Sequence, residues 1–147
     1  NGNTQKPDTD NNGNTQKPGS GNNQDTSSSS YAQRVVELVN IERAKEGLSP
    51  LTMDSKISAA AAVRAEEIKT TFSHTRPNGT SCFTALDQAG VSYRGAGENI
   101  ASGQRTPEEV VTAWMNSEGH RKNIMNANFK NIGVAYSNRA WVQLFTY

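Results

Sequence analysis

Two histidines and two glutamates are the residues through which this chain could do chemistry. His74 stands in SHTRPNG, Glu98 in GENI, and Glu118 and His120 flank a glycine in WMNSEGHRKNIM at 114–125. Two imidazoles and two carboxylates suffice for a four-ligand zinc site or for general acid–base work. Blander readings use the same atoms. A loop histidine can titrate harmlessly on the surface, and a charged His120 would complement the negative end of a helix. Glu98 can be solvated or accept backbone N–H groups, and Glu118 can be a surface carboxylate. Each histidine adjoins glycine-containing loop sequence, where side chains converge on clefts, so a site reading is better than average for both. HExxH, GxSxG, a Walker loop and paired CxxC motifs are absent, which disfavours a zincin, an α/β-hydrolase, an NTPase and a zinc ribbon.

Glu118 and His120 pose a geometric problem. On a regular helix of 3.6 residues per turn, residues two apart point about 200° away from each other and could not share a ligand. A left-handed Gly119 at the position after the helix would end it and let His120 swing onto the side that Glu118 faces. For Glu98, the stretch GAGENIASG reads as a glycine-rich loop whose flexible GAG folds the carboxylate inward.

The elements that must carry these residues follow from periodicity and punctuation. YAQRVVELVNIERAKEG sets Ala32, Val35, Val36, Leu38 and Val39 near one face, which predicts an amphipathic helix from Tyr31 ended by Gly47. Asp54 is a good N-cap for a second helix, SKISAAAAVRAEEIKTT, expected to be mostly buried through its alanine run. TFSHTRPNGT reads as a turn-rich loop, and SCFTALDQAG as a short helix stopped at Gly90. In TPEEVVTAWMNS, Thr106 caps, Pro107 takes the first helical position and Glu109 completes a capping box, which predicts a helix from about 107 to 117. NIGVAYS and AWVQLFTY, separated by Asn138 and Arg139, predict an antiparallel hairpin. Helices followed by late strands imply an α+β domain whose helices cover an antiparallel sheet.

The 147 residues suit one domain, but residues 1–30 hold no aliphatic, aromatic, Ala, Met or Cys residue. They have nothing to bury against the entropy of ordering them and are expected to be a disordered spacer, with the domain at 31–147. NGNTQKPD at 1–8 returns as NGNTQKPG at 12–19, an 11-residue repeat without a hydrophobic face to stack. With 15 Lys and Arg against 14 Asp and Glu there is no basic stripe, and nucleic acid is a poor candidate partner. No apolar run approaches the roughly twenty residues that cross a bilayer. A first residue other than Met, followed by a low-complexity spacer, favours an exported protein tethered through that spacer. The single cysteine, Cys82, excludes an intrachain disulfide and reads as a small buried hydrophobe rather than a nucleophile.

In order along the chain, LVNIERAKEGLSPL at 38–51, HTRPNG at 74–79, GENIASG at 97–103, WMNSEGHRKNIM, NIGVAY and WVQLFTY resemble a bacterial member of the CAP superfamily. That group unites cysteine-rich secretory proteins, venom antigen five and plant pathogenesis-related proteins. The resemblance covers 31–147 and implies an α-β-α sandwich, usually exported, whose central cavity is lined by two His and two Glu. His74 matches the first histidine, Glu98 the glutamate of GEN and His120 the histidine of GH. Glu118 departs from the pattern: animal members place their second glutamate nearer the tryptophan, and many bacterial sequences have proline here. It is either a fourth cavity ligand or a carboxylate on the rim. The chain also lacks the disulfides of animal and plant members, which leaves stability to packing around Trp114, Trp141, Phe129 and Phe145. Asn40 and Arg43 read as internal bracing, and Arg121 and Asn123 as holding the cavity loop by hydrogen bonds.

The resemblance implies a secreted or cell-surface module, leaving its extracellular ligand open among lipid, cell-wall component and protein. The leading expectation is a non-catalytic binding module that holds Zn²⁺ or another divalent cation through His74 and His120, with Glu98 and Glu118 as direct or outer acceptors. No organic cofactor is expected. One alternative is a metal-assisted hydrolase using Glu98 or Glu118 as general base. The other is a structural surface interaction domain in which the four groups form a polar brace.

Overall fold

The computed structural model describes residues 23–147. The spacer expected at 1–30 therefore lies mostly outside the described residues. From Asn23, however, the chain is helical, because α1 runs Asn23–Lys45, eight residues ahead of the expected start at Tyr31. It ends where Gly47 takes a φ of 73°, a left-handed conformation that costs glycine little.

The strands are β1 (Thr52–Met53), β2 (Ala96–Ser102), β3 (Asn131–Ser137) and β4 (Ala140–Thr146), in the sheet order β1-β3-β4-β2. β3 and β4 form the expected antiparallel hairpin, with Tyr136 opposite Trp141. Its two-residue turn puts Asn138 and Arg139 at φ 47° and 67°, the double left-handed geometry that matches the twist of paired strands. The expected antiparallel sheet gains one short parallel pair, β1 on β3.

Helices cover both faces of this sheet, giving the α-β-α sandwich. Successive β4 residues serve opposite layers: Trp141 and Phe145 pack with α1, α4 (Pro107–Met115) and α5 (Glu118–Ile124). Ala140, Val142 and Leu144 pack with α2 (Ser55–Glu67) and α3 (Thr84–Gln88). A strand covered on both sides is apolar almost throughout, which is why AWVQLFT does not alternate cleanly. Trp114, Trp141, Phe129 and Phe145 are all buried, as expected of a core without disulfides.

Local signals held at both capped helices. Asp54 Oδ1 accepts from the N–H of Lys56 and Ile57 at 2.9 and 3.0 Å. Thr106 Oγ1 accepts from Glu109 N at 3.1 Å, while the Glu109 carboxylate reaches back to Arg105 N at 2.9 Å. α2 is amphipathic rather than mostly buried: its buried stripe is Ile57, Ala60, Ala61, Arg64 and Ala65, and Val63 faces out.

Two expectations are corrected. GENIAS is strand β2, paired antiparallel with β4 from Ala96 opposite Thr146 to Ser102 opposite Ala140. Its glycines serve close approach: a Cβ on Gly97 would stand 2.9 Å from the Phe129 ring, and one on Gly95 would overlap Tyr147. Gly119 ends nothing. α4 stops at Met115, and α5 begins at Glu118 with Gly119 in its first turn, absent from the residues of positive φ and with open space around it.

Candidate functional site

β2 is an edge strand, and the site is built around it from both layers. On the α2/α3 side, the loop after α2 folds back on itself. Cys82 N donates to His74 O and Arg76 N to Thr80 O, with Gly79 supplying the tight turn at φ 88°. This hairpin sets His74 beside Cys82. It is pinned by Arg76, whose guanidinium donates to Glu67 of α2 and to Thr84 and Gln88 of α3.

Glu98 points into the same layer, and its side chain is 1% exposed. Arg64, wholly buried on the inner stripe of α2, grips it with a two-pronged fork: Nε donates to Oε2 at 2.7 Å and Nη2 to Oε1 at 3.1 Å. Arg64 also donates to Glu67 at 2.8 Å and to the carbonyl of Ser73 at 2.6 Å. A charge-assisted fork of this kind fixes both oxygens in place. His74 Nδ1 meets Glu98 Oε1 at 2.7 Å. The carboxylate is acceptor-only when ionised, so His74 Nδ1–H donates, and its other ring nitrogen, Nε2, is directed away from that bond. The His74 side chain is 59% exposed.

The opposite layer supplies His120. Asn123 Nδ2 donates to the Glu98 carbonyl at 3.2 Å and to Asn99 Oδ1 at 2.9 Å, while Asn99 Nδ2 donates to the His120 carbonyl at 3.1 Å and to Gln143 Oε1 at 2.9 Å. These amides seal the outer edge of β2 and fasten the first turns of α5 to it. Trp114 Nε1 adds a bond to the Ile100 carbonyl. Behind them, Arg43 Nη1 donates to the carbonyls of Ile124 and Asn126 at the far end of α5, and Asn40 exchanges two bonds with Leu51. Asn40, Arg43 and Asn123 thus brace as the sequence implied. Arg121 does not: it is exposed and makes no side-chain hydrogen bond among the described residues.

His120 Nδ1 meets Ser117 Oγ at 2.8 Å, within the same turn. Burial, and next the neighbouring His74, push the His120 pKa below its ordinary 6.5, so the uncharged imidazole is favoured. Neither Nε2 has a hydrogen-bond partner among the described residues.

The four expected site residues are therefore not equivalent. His74 and Glu98 are in contact, and His120 is electrostatically coupled to His74. Glu118 is exposed on the first turn of α5 and lies outside the cluster, because helix α5 continues through Gly119 instead of ending there. Cys82 was read only as a buried hydrophobe. It is buried, but its Sγ comes within 4.8 Å of ligand atoms of both His74 and Glu98. Burial first, and the Glu98 charge next, push the thiol pKa up to about 12, so by itself it is a thiol rather than a nucleophilic thiolate. A cleft of about 470 Å³ opens over this cluster, walled by His74, Ser81, Cys82, Phe83, Gly97, Glu98 and Asn123.

A divalent cation finds a mixed reception here. The guanidinium on Glu98 opposes it, whereas imidazoles with Nδ1 engaged and Nε2 open are suited to it. Of the two histidines, His74 stands with Cys82 and Glu98 in the cluster whose ligand atoms lie within 4.8 Å of one another, and His120 stands outside that cluster.

Comparison with known proteins agrees with this fold. A family model of the cysteine-rich secretory protein family, CAP, matches residues 36–145. The uncharacterized Bacillus subtilis protein YkwD is 52% identical over 124 residues, 82% of this chain and 48% of its own length. The B. subtilis membrane protein YlbC, also uncharacterized, is 32% identical over 115 residues, 77% of this chain and 33% of its own. The chain thus spans half or less of the length of these relatives. A crystal structure of an extracellular protein containing an SCP domain, from Bacillus anthracis, superposes with a TM-score of 0.83 at 28% identity, over 89% of this chain and 45% of that one. A cysteine-rich secretory protein from Staphylococcus aureus superposes at 0.72 with 20% identity, over 81% and 38% of the two chains, a likeness of fold alone. Sandwich fold and family match coincide: this chain belongs to the CAP family of cysteine-rich secretory proteins.

Proposed function

We propose that this CAP domain is a non-catalytic binding module, secreted or displayed at the cell surface, whose edge-strand cleft takes a divalent cation on His74 and His120 and an extracellular ligand beside it. The observation that carries this reading is the shared state of the two imidazoles. Each has its Nδ1 occupied, by Glu98 at 2.7 Å or Ser117 at 2.8 Å, and an Nε2 without a hydrogen-bond partner among the described residues, and His74 lines the cleft. Metal-binding histidines are held in this way, with one ring nitrogen anchored so that the other is aimed. Zinc fits such nitrogens at about 2.0–2.1 Å and accepts open positions for water or ligand.

The extracellular placement draws on the B. anthracis relative, which is itself an extracellular SCP-domain protein. No helix among the described residues is long and apolar enough to cross a membrane. Tethering through the spacer is part of the same proposal. A metal-assisted hydrolase finds little support in the cluster, since Arg64 holds both oxygens of Glu98 and Glu118 is exposed outside it.

Calorimetry with Zn²⁺ on the full chain tests the metal. Wild type is expected to bind one ion per chain, and His74→Ala and His120→Ala each to weaken binding by at least about tenfold, in line with the loss of a metal contact. Equal binding by all three proteins would remove the proposal. Turnover of peptides or cell-wall fragments that disappears in His74→Ala would replace it with the hydrolase.

A further inference from the structure

Glu98 would ordinarily be counted among the metal-binding groups of this site, but its surroundings assign it another task. Its carboxylate offers about four lone-pair positions. Three are already taken: Arg64 holds one on each oxygen, at 2.7 and 3.1 Å, and His74 Nδ1 holds the second on Oε1 at 2.7 Å. Arg64 cannot relieve the carboxylate by losing its proton, because a guanidinium stays charged at any ordinary pH. Nor can it swing away. Its remaining bonds, to Glu67 at 2.8 Å and the Ser73 carbonyl at 2.6 Å, anchor it to its own helix and to the loop that carries His74. It sits wholly buried in the alanine stripe of α2.

We propose that Arg64 is the residue that determines how this site binds metal: by occupying Glu98 it withholds the carboxylate from the ion and leaves a two-histidine site. This inference rests on the metal reading above and sharpens it. Arg64 is a positioning residue and touches neither ion nor ligand. Its effect runs through Glu98, which it turns from a charged ligand into a fixed acceptor that aims His74 Nε2 at the cleft. A site with two protein ligands binds zinc more weakly and leaves more positions open than a site with a third, anionic one. The arrangement therefore favours an exchangeable ion, with room for an outside ligand, over a permanently closed site.

Zinc titration against a chromophoric chelator tests this on full-length wild type, Arg64→Met, Arg64→Lys, Glu98→Ala and the Arg64→Met/Glu98→Ala double variant. Methionine fills much of the arginine's volume without its donors, which frees Glu98 to ligate. Arg64→Met is expected to bind zinc at least about tenfold more tightly than wild type, a gain of the size that ligand-shell changes produce. Arg64→Lys, which keeps a charge but loses the fork, should show a smaller gain, and the double variant none relative to Glu98→Ala. If Arg64→Met does not fold, Arg64→Lys together with the ¹³C resonance of the wild-type Glu98 carboxyl decides. That resonance should stay in place on zinc addition while the histidine nitrogens move. Folded Arg64 variants that bind zinc no better than wild type, or a wild-type Glu98 carboxyl that shifts with zinc, would overturn the inference. Zinc binding by Arg64→Met but not by wild type would uphold the role of Arg64 and refute the proposed function. Binding by neither would refute both.

Discussion

Replacing Glu98 by alanine should be among the most damaging single changes in the chain, and its cost can be bounded from the surroundings. Glu98 and Arg64 are 1% and 0% exposed as side chains and share two hydrogen bonds. Removing one partner of a buried pair typically costs about 3–5 kcal/mol, because the remaining charge loses both its water and its counter-ion. Here Arg64 keeps Glu67, which burial would raise in pKa but which the Arg76 and Arg64 bonds hold below the usual carboxylate value. That residual partner puts the cost near the lower bound, about 3 kcal/mol. For a domain of this size, about 4 °C of melting temperature per kcal/mol gives a fall of ~12 °C. The assay is thermal and urea denaturation at pH 7 on wild type, Glu98→Ala, Arg64→Met and the double variant. The two residues form one interaction, so the double variant should lose at least about 1 kcal/mol less than the two single losses added together. A melting temperature for Glu98→Ala within about 2 °C of wild type, or strict additivity in the cycle, would refute the reasoning that a buried, mutually dependent pair underlies the site.

Two other outcomes follow from local features. Arg139→Gly should raise stability by about 0.5–1 kcal/mol, because Arg139 holds φ 67° in the β3–β4 turn, where glycine pays less and Asn-Gly suits a two-residue hairpin; denaturant midpoints of the two proteins check it. The second concerns pH. The folded pKa of His120 lies below its ordinary 6.5, so the unfolded chain binds more protons in the interval between the two values. Stability from this residue is thus complete above about pH 6.5 and is lost as pH falls through the folded value. A series of melting temperatures between pH 5 and 7.5 should show a decline on acidification that is shallower in His120→Gln.

How much of this was legible in the sequence depends on the range of the interaction concerned. Thr106-Pro107 and Asp54 cap their helices with atoms two or three residues away, and the sequence displays them directly. The hairpin around Asn138 was visible from alternation and β-rich composition on both sides, without a glycine in the turn. GENIAS was not legible as a strand, because glycine, glutamate and asparagine are all depleted in strands. What makes it one is its register with β4, together with space that only glycine leaves beside Phe129 and Tyr147. The helix break at 116–117 misled for a related reason: Gly119 looked like a stop, but the chain stops one turn earlier and restarts at Glu118. His74, Glu98 and His120 were found as site candidates, while Arg64, the buried partner of Glu98, was missed. A signal for it existed. Arg64 falls at the spacing of Ile57, Ala60, Ala61 and Ala65, on the buried stripe of α2, and a lone arginine on an apolar stripe must have an acidic partner within reach.

The claim on which the account turns is that the site presents two imidazole Nε2 atoms while Glu98 stays with Arg64. Long-range ¹H–¹⁵N spectra of the histidine rings, recorded on the full chain before and after zinc, read this directly. Before zinc, His74 should carry its proton on Nδ1. After zinc, Nε2 of both His74 and His120 should move to the metal-bound range while His74 keeps its Nδ1 proton. Rings that stay unchanged at saturating zinc, or a His74 bound through Nδ1 with Glu98 displaced from it, would contradict the account.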